Sequence, residues 1–354
     1  MTPSARQALA QDERAGDTAS ALVVSCVDPL EHAAEIKRLF VAHERPEFPA
    51  FFDRGYPDAV AAGTRSWVGR DGDGRIRAHI AWFSHRFTCD GQVLHGALLG
   101  NLMVAPEYRR FWPALALVRR AIRDLRNDGG VDFIYADPND AAKPVLLAAG
   151  LREAGALRRH VLPLGDRGAV TSLGLRAYGL LARLRLGRSP LRVTERAAAD
   201  ALDADGPPPR GDSRALRPIR TPQLYRRRLA DFPGDADKWW SFHARGAAGE
   251  PVARVLVRGP DARGIVTLSA WHCEPLAQLR FVLSALAGRL QARGVRRLEG
   301  WVMGGSPAAR ELRRAGFFPR EERIPVLATA CTGPGTAAVA AARDWRILPL
   351  DLDR

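Results

Sequence analysis

Lysine is nearly missing from this chain: Lys37, Lys143 and Lys238 are the only three among 53 basic residues. Against 39 acidic residues the arginines leave a formal net charge of +14. Such a balance is compatible with nucleic acid, anionic lipid or acidic substrates. No basic run is interleaved with aromatics, however, so nucleic-acid binding is not expected. Cysteine is also scarce, with four scattered residues (Cys26, Cys89, Cys273, Cys331) and no CxxC spacing. That pattern argues against a zinc site or a disulfide framework, so no metal is expected, and it suits a reducing cytoplasm. No run approaches the roughly twenty apolar residues of a membrane span. The polar first twenty residues lack the apolar core of a secretory leader. A length of 354 residues with 46% hydrophobic content is enough for two globular domains of ordinary size.

One stretch organises what is present. Leu98-Leu99-Gly100-Asn101-Leu102-Met103-Val104 reads as an apolar strand, and Ala105-Pro106 stops it, because proline has no N–H to give to a ladder. Pro113 suits the first turn of the helix that follows. A helix start offers unpaired N–H groups and the positive end of its dipole, which together attract anions. Arg109 and Arg110 stand directly before it. The chemistry fits a phosphate or pyrophosphate pocket.

Val104-x-Pro106-x-x-Arg109-Arg110-x-x-x-Ala114 resembles the acyl-CoA loop of the GNAT superfamily of N-acyltransferases. Trp112 stands where the first glycine of that loop is usual. The resemblance implies acetyl-CoA or another acyl-CoA as cosubstrate. Its pyrophosphate would lie on Arg109, Arg110, Phe111, Trp112, Pro113 and Ala114, and its pantetheine arm along Leu102, Met103 and Val104. It also implies Asn139 as a cofactor-side hydrogen bonder.

The element order supports the resemblance over residues 21–164. After a polar leader at 1–20 comes a strand at 21–27 and a helix with Ala33, Ile36, Leu39 and Phe40 on one face. A proline- and aromatic-rich segment from Arg45 to Pro57 would border the acceptor pocket in a GNAT layout, or simply pack under a loop. Strands at 64–69, 75–88 and 93–104 are joined by turns at Asp71-Gly72-Asp73-Gly74 and Asp90-Gly91. A helix with Leu115, Val118, Ile122 and Leu125 on one face, a strand at 131–136, a helix ending at Gly150 and a strand at 151–164 complete the unit. Residues 165–220 read as a basic amphipathic helix and a linker. Its stretch 172–188 could lie on a membrane surface, although packing on the chain's own domains is the favoured reading. Residues 221–330 repeat the same elements, and 331–354 form a C-terminal tail. Aligning Gly150 with Gly316 pairs Ala142 with Ala308, Leu146 with Leu312 and Ala149 with Ala315. The fold class is therefore α+β: two tandem GNAT-like domains, each a mixed, mostly antiparallel sheet flanked by helices. The second lacks the V-x-P-x-x-R loop, so one cofactor site per chain is expected.

The proton carriers are less plain. The resemblance implies a carboxylate base on the strand 93–104 and a tyrosine acid on the helix after Asn139. The strand holds no acidic residue, and Leu146 occupies the tyrosine's place. Candidate substitutes are His95, Tyr135 and Asp137, with Glu47 or Asp53 in the acceptor region. A histidine such as His95 is chemically able to act as a base. His272, Cys273 and Glu274 are consecutive in a strand and cannot converge on one point. The expected activity is acyl-CoA-dependent N-acylation of a small amine or amino-sugar acceptor. Two alternatives stand beside it: a degenerate pair kept as a binding scaffold, and a Fem-type transferase that uses aminoacyl-tRNA.

Overall fold

A computed structural model describes residues 22–109, 111–164, 191–197, 215–219, 239–273, 275–342 and 345–347. The leader at 1–20, the basic helix at 172–188, the side chains of Arg110 and Phe111, and Glu274 lie outside the described residues. No helix among those described is long and apolar enough to cross a membrane.

The first half runs β1 (Val23–Val27), α1 (Ala33–Val41), α2 (Phe48–Ala61), β2 (Arg65–Arg70), β3 (Ile76–Cys89), β4 (Gln92–Val104), α3 (Phe111–Asn127), β5 (Phe133–Ala136), α4 (Lys143–Ala148) and β6 (Arg152–Pro163). Strands β7 (Arg192–Ala197) and β8 (Arg217–Pro218) follow. The second half continues with β9 (Trp239–Arg245), β10 (Pro251–Arg258), β11 (Ile265–Cys273), α5 (Leu279–Ala292), β12 (Arg297–Met303), α6 (Pro307–Arg314), β13 (Phe318–Ala330) and α7 (Gly333–Ala340). All the strands belong to one sheet, in the order β1-β2-β3-β4-β5-β13-β6-β12-β11-β10-β9-β7, with β8 beside β3.

The periodicities explain the layers. On β3, Ile76, Ala78 and Ile80 are buried, and its Ala78 and Ile80 form one core with Leu115, Val118, Ile122 and Leu125 of α3. The opposite face carries Phe83 and Phe87 against α1, α2 and the C-terminal segment. In the second half Leu279, Val282, Leu283, Leu286 and Leu290 of α5 are fully buried against the sheet. Each such side chain contributes roughly 1.5–3 kcal/mol of transfer free energy.

Three sequence expectations change here. The segment 45–57 is largely helical, because Pro49 sits harmlessly in the first turn of α2 and buried Phe48, Phe52 and Tyr56 share its inner face. Two strands lie inside the stretch read as helix and linker: β7 pairs with β9, and β8 with β3. Most consequentially, the strand at 151–164 does not return to its own unit. β6 pairs with β12 and β13, while β13 takes the place beside β5. The two halves exchange their closing strands at the centre of the sheet. The internal repeat is visible in three dimensions as well. Gly150 and Gly316 end α4 and α6 at φ +104° and +92°, a left-handed conformation that favours glycine. Their paired residues Leu146 and Leu312 are both buried.

Candidate active site

The strands β4 and β5 run parallel but pair only from Gly96–Phe133 to Leu98–Tyr135. β5 ends at Ala136 and the chain turns away, while β4 continues to Val104. Along this continuation Gly100, Asn101, Leu102 and Met103 are half-buried. Among the described residues, the edge of β4 that faced β5 therefore has no strand beside it past Leu98. Alternate N–H and C=O groups there can pair with an extended ligand, as an added strand would. Asn101 lies at φ +54°, and the β3–β4 register shifts between His79 and Ala81. This is a bulge, and it re-aims the backbone inside the opening.

The opening leads to the start of α3. Ala105 N–H donates to Arg77 O at 2.8 Å, and a short 3-10 turn spans Pro106–Tyr108. Glu107 is held by Arg77 at 3.1 Å, so its charge is compensated beside the helix mouth. Exposed Arg109 donates from Nε to Val104 O at 3.1 Å. That bond fixes the root of the guanidinium at the turn. The first turn of α3 carries no acidic residue, which leaves the positive end of its dipole uncancelled. Pro113 is half-buried, Ala114 is buried, and Trp112 packs partly buried against the core beneath α3.

The face of the opening opposite α3 carries a linked set of polar side chains. His79, Ser66 and Tyr56 are fully buried. His79 Nδ1 lies 3.0 Å from the Asn101 carbonyl, and Nε2 lies 3.0 Å from Ser66 Oγ. A carbonyl only accepts, so Nδ1 carries the proton and Ser66 O–H donates to Nε2. Burial lowers the His79 pKa to about 4, with the bond to Asn101 O opposing the shift. The imidazole is neutral. Asn101 Nδ2 donates to Tyr56 OH at 3.0 Å.

The residues singled out from sequence separate in space. Leu102, Met103, Val104, Arg109, Trp112, Pro113 and Ala114 line one continuous run of chain from the opening to the helix mouth. Asn139 is exposed, and its Oδ1 accepts from Ala142 N at 2.9 Å, capping the turn before α4. Tyr135 belongs to the last β4–β5 pair, is fully buried, and its OH lies 2.5 Å from His85 Nδ1. Asp137 is half-buried just past the end of β5. His95, by contrast, is exposed and precedes the first β4–β5 pair. Its N–H donates to Asp132 at 2.8 Å, at the closed end of the strand pair. His95 is therefore about 10 Å of strand from Leu98, where the opening begins. Glu47 is paired with Arg45, which holds its carboxyl below the usual range, and Asp53 is paired with Lys37. In the second half His272 is exposed while Cys273 is buried, on opposite sides of β11. Sequence reasoning passed over His79, Asn101 and His85. An asparagine after a glycine inside an apolar strand was a usable signal, since asparagine tolerates left-handed backbone better than other side chains.

No family model matches the sequence, and no curated protein matches it. Solved structures do resemble it. A GCN5-related N-acetyltransferase from Anabaena variabilis ATCC 29413 aligns with a TM-score of 0.60 at 10% identity, over 88% of this chain and 73% of that one. A GCN5-related N-acetyltransferase from Kribbella flavida gives 0.58 at 15% identity, over 88% and 73%. A conserved protein of unknown function from Enterococcus faecalis V583 gives 0.60 at 14% identity, over 88% and 72%. The chain shares the fold of these structures, and in it a parallel strand pair opens beside a helix mouth. The arrangement recurs in its second half, where β11 and β12 run parallel from Ile265–Arg297 to Leu268–Gly300.

Proposed function

We propose that the protein is an acyl-CoA-dependent N-acyltransferase, and that acetyl-CoA or a longer acyl-CoA lies along β4 with its diphosphate at the start of α3. The supporting observation is the continuity of the β4 edge beyond Leu98 with a helix mouth whose first turn holds no acidic residue. In this reading Leu102 to Val104 pair with the pantetheine amides. Arg109, Arg110 and the N–H groups of residues 111–114 other than Pro113 take the phosphates, and the Asn139 amide faces the cofactor. The amine lone pair attacks the thioester carbonyl, the C–S bond breaks, and the thiolate takes a proton as the amine nitrogen loses one. Tyr135 is assigned the proton donated to sulfur, with His85 restoring it from solvent. Asp137 is assigned to the turn that orients Tyr135. The acceptor is a small amine or amino sugar in the cytoplasm.

Titration calorimetry with acetyl-CoA, longer acyl-CoAs and free CoA, followed by a thiol-release assay with pooled amines, tests the reading. Arg109→Ala is expected to weaken acyl-CoA binding about tenfold, as for one lost charge-assisted bond. Unchanged affinity would move the diphosphate elsewhere. The absence of any carboxylate on β4 favours a second reading, a binding scaffold without turnover. Binding with no thiol release from any amine would select it.

A further inference from the structure

Asn101 is held more firmly than a bulge requires. Glycine would give the same left-handed backbone at φ +54° without a side chain. Here the carbonyl is fixed by His79 Nδ1 at 3.0 Å, and that ring is fixed in turn by Ser66. The side-chain amide is fixed by its donation to Tyr56 OH at 3.0 Å. Tyr56 itself is stacked on Phe52 with ring centroids 4.0 Å apart and is edge-on to Phe83 at 5.6 Å. An amide anchored through its nitrogen presents its oxygen in one direction. Asn101 Oδ1 has no partner among the described residues, and Asn101 is only half-buried. The residue stands three positions past the last β4–β5 pair, inside the opening. Its side chain reaches toward α2, the face opposite the one packed by α3.

We infer that Asn101 Oδ1 accepts a hydrogen bond from the attacking amine, and so holds the amine nitrogen against the thioester carbonyl. This rests on the acyl-CoA reading above. An amide oxygen takes no proton at neutral pH, so the role is orientation. The nitrogen keeps its lone pair toward the carbonyl while one N–H points at Oδ1. The proton released on acylation passes to water. Tyr56, His79 and Ser66 act through Asn101 and are positioning residues.

Asn101→Gly is the deciding variant, because it keeps the left-handed backbone and removes only the amide. Wild type, Asn101→Gly and Tyr56→Phe are compared by calorimetry with acetyl-CoA and by thiol release with glucosamine, glycinamide and benzylamine as probes. The expected result for Asn101→Gly is an acetyl-CoA affinity that changes less than the amine kinetics do. Its kcat/KM for the amine is expected to fall roughly three- to tenfold, as for one lost hydrogen bond. Tyr56→Phe removes the anchor but not the amide, and is expected to give a smaller loss in the same direction. Amine kinetics equal to wild type in Asn101→Gly would overturn the inference while leaving the acyl-CoA reading standing. Failure of wild type to bind acetyl-CoA or any longer acyl-CoA, or to acylate any probe, would overturn both.

Discussion

His79 shows how much a single buried side chain controls at this site. Both ring nitrogens are engaged, the ring is fully buried, and its pKa is lowered from 6.5 to about 4 by desolvation. In the unfolded chain the imidazole protonates near its ordinary value. Between the two pKa values the unfolded state therefore binds more protons than the folded one, and stability falls as pH drops through that window. The full contribution is present above about pH 6.5 and is lost by about pH 4, amounting to roughly 3 kcal/mol. His160 and His243 are shifted down by burial as well, in the same direction. Urea unfolding at pH 7 and at pH 4.5 checks this. His79→Gln can still donate to the Asn101 carbonyl and accept from Ser66 but does not titrate, so its stability is expected to change less between the two pH values than wild type. An identical pH dependence would mean the ring is protonated in the fold. Gly96 is the counterpart in pure packing. A Cβ there would lie 2.6 Å from Phe87 and 2.8 Å from Phe133. These rings are wedged among Tyr135 and Trp345 and have little room to yield. Gly96→Ala is expected to cost about 1–3 kcal/mol in thermal or urea unfolding, as overpacking does.

At the scale of elements, the order of strands and helices was legible because each carried its own period. The alternation of Ile76, Ala78 and Ile80 and the three-and-four spacing from Leu115 to Leu125 both correspond to faces that are buried. The loop from Val104 to Arg109 was legible because proline and arginine leave local marks. α2 was less so: its prolines suggested a loop, although Phe48, Phe52 and Tyr56 stand at intervals of four on one buried face. Nor was the docking of α7 on the first half legible, because its contacts are not local. Asp132 O accepts from Cys331 N and Thr332 N at 2.8 and 3.2 Å, and Asp132 Oδ1 accepts from Thr332 Oγ1 at 2.7 Å. Gly335 lies so close that a Cβ would sit 1.8 Å from Asp132 O. Backbone cannot give way as a flexible side chain can. Gly335→Ala is therefore expected to lift α7 from Asp132 and loosen Trp345 from Tyr135. Amide exchange over residues 333–347 should accelerate in the variant, with a lower Tm. Unchanged protection would show that the helix start accommodates the methyl group by a small shift.

For the molecule as a whole, the exchange of β6 and β13 decides how the chain can be divided. β5 and β12 are each the inner edge of one half, and the two strands between them come from the opposite halves. β13 pairs with β5 from Leu327–Ala136 to Ala330–Phe133, and β6 pairs with β12 from Arg297–Pro163 to Met303–Leu157. A fragment ending at residue 164 would thus leave β5 without its neighbour and both edges of β6 without theirs, a template for aggregation. It would also lose Trp345 and Ile347, which are buried in the core shared with Phe133 and Tyr135. Strand pairing between segments about 130 to 200 residues apart leaves no local trace in composition or periodicity, which is why the letters suggested two self-contained units. Residues 22–164 alone are expected to lack a cooperative unfolding transition or to self-associate. Co-expression with residues 165–354 is expected to restore a one-to-one complex with cooperative unfolding. Size-exclusion chromatography with light scattering and near-UV circular dichroism distinguish these states. A monomeric 22–164 fragment with native near-UV signal and a sharp transition would show that the first half can close on its own β6, and that the exchange is not needed to complete its sheet.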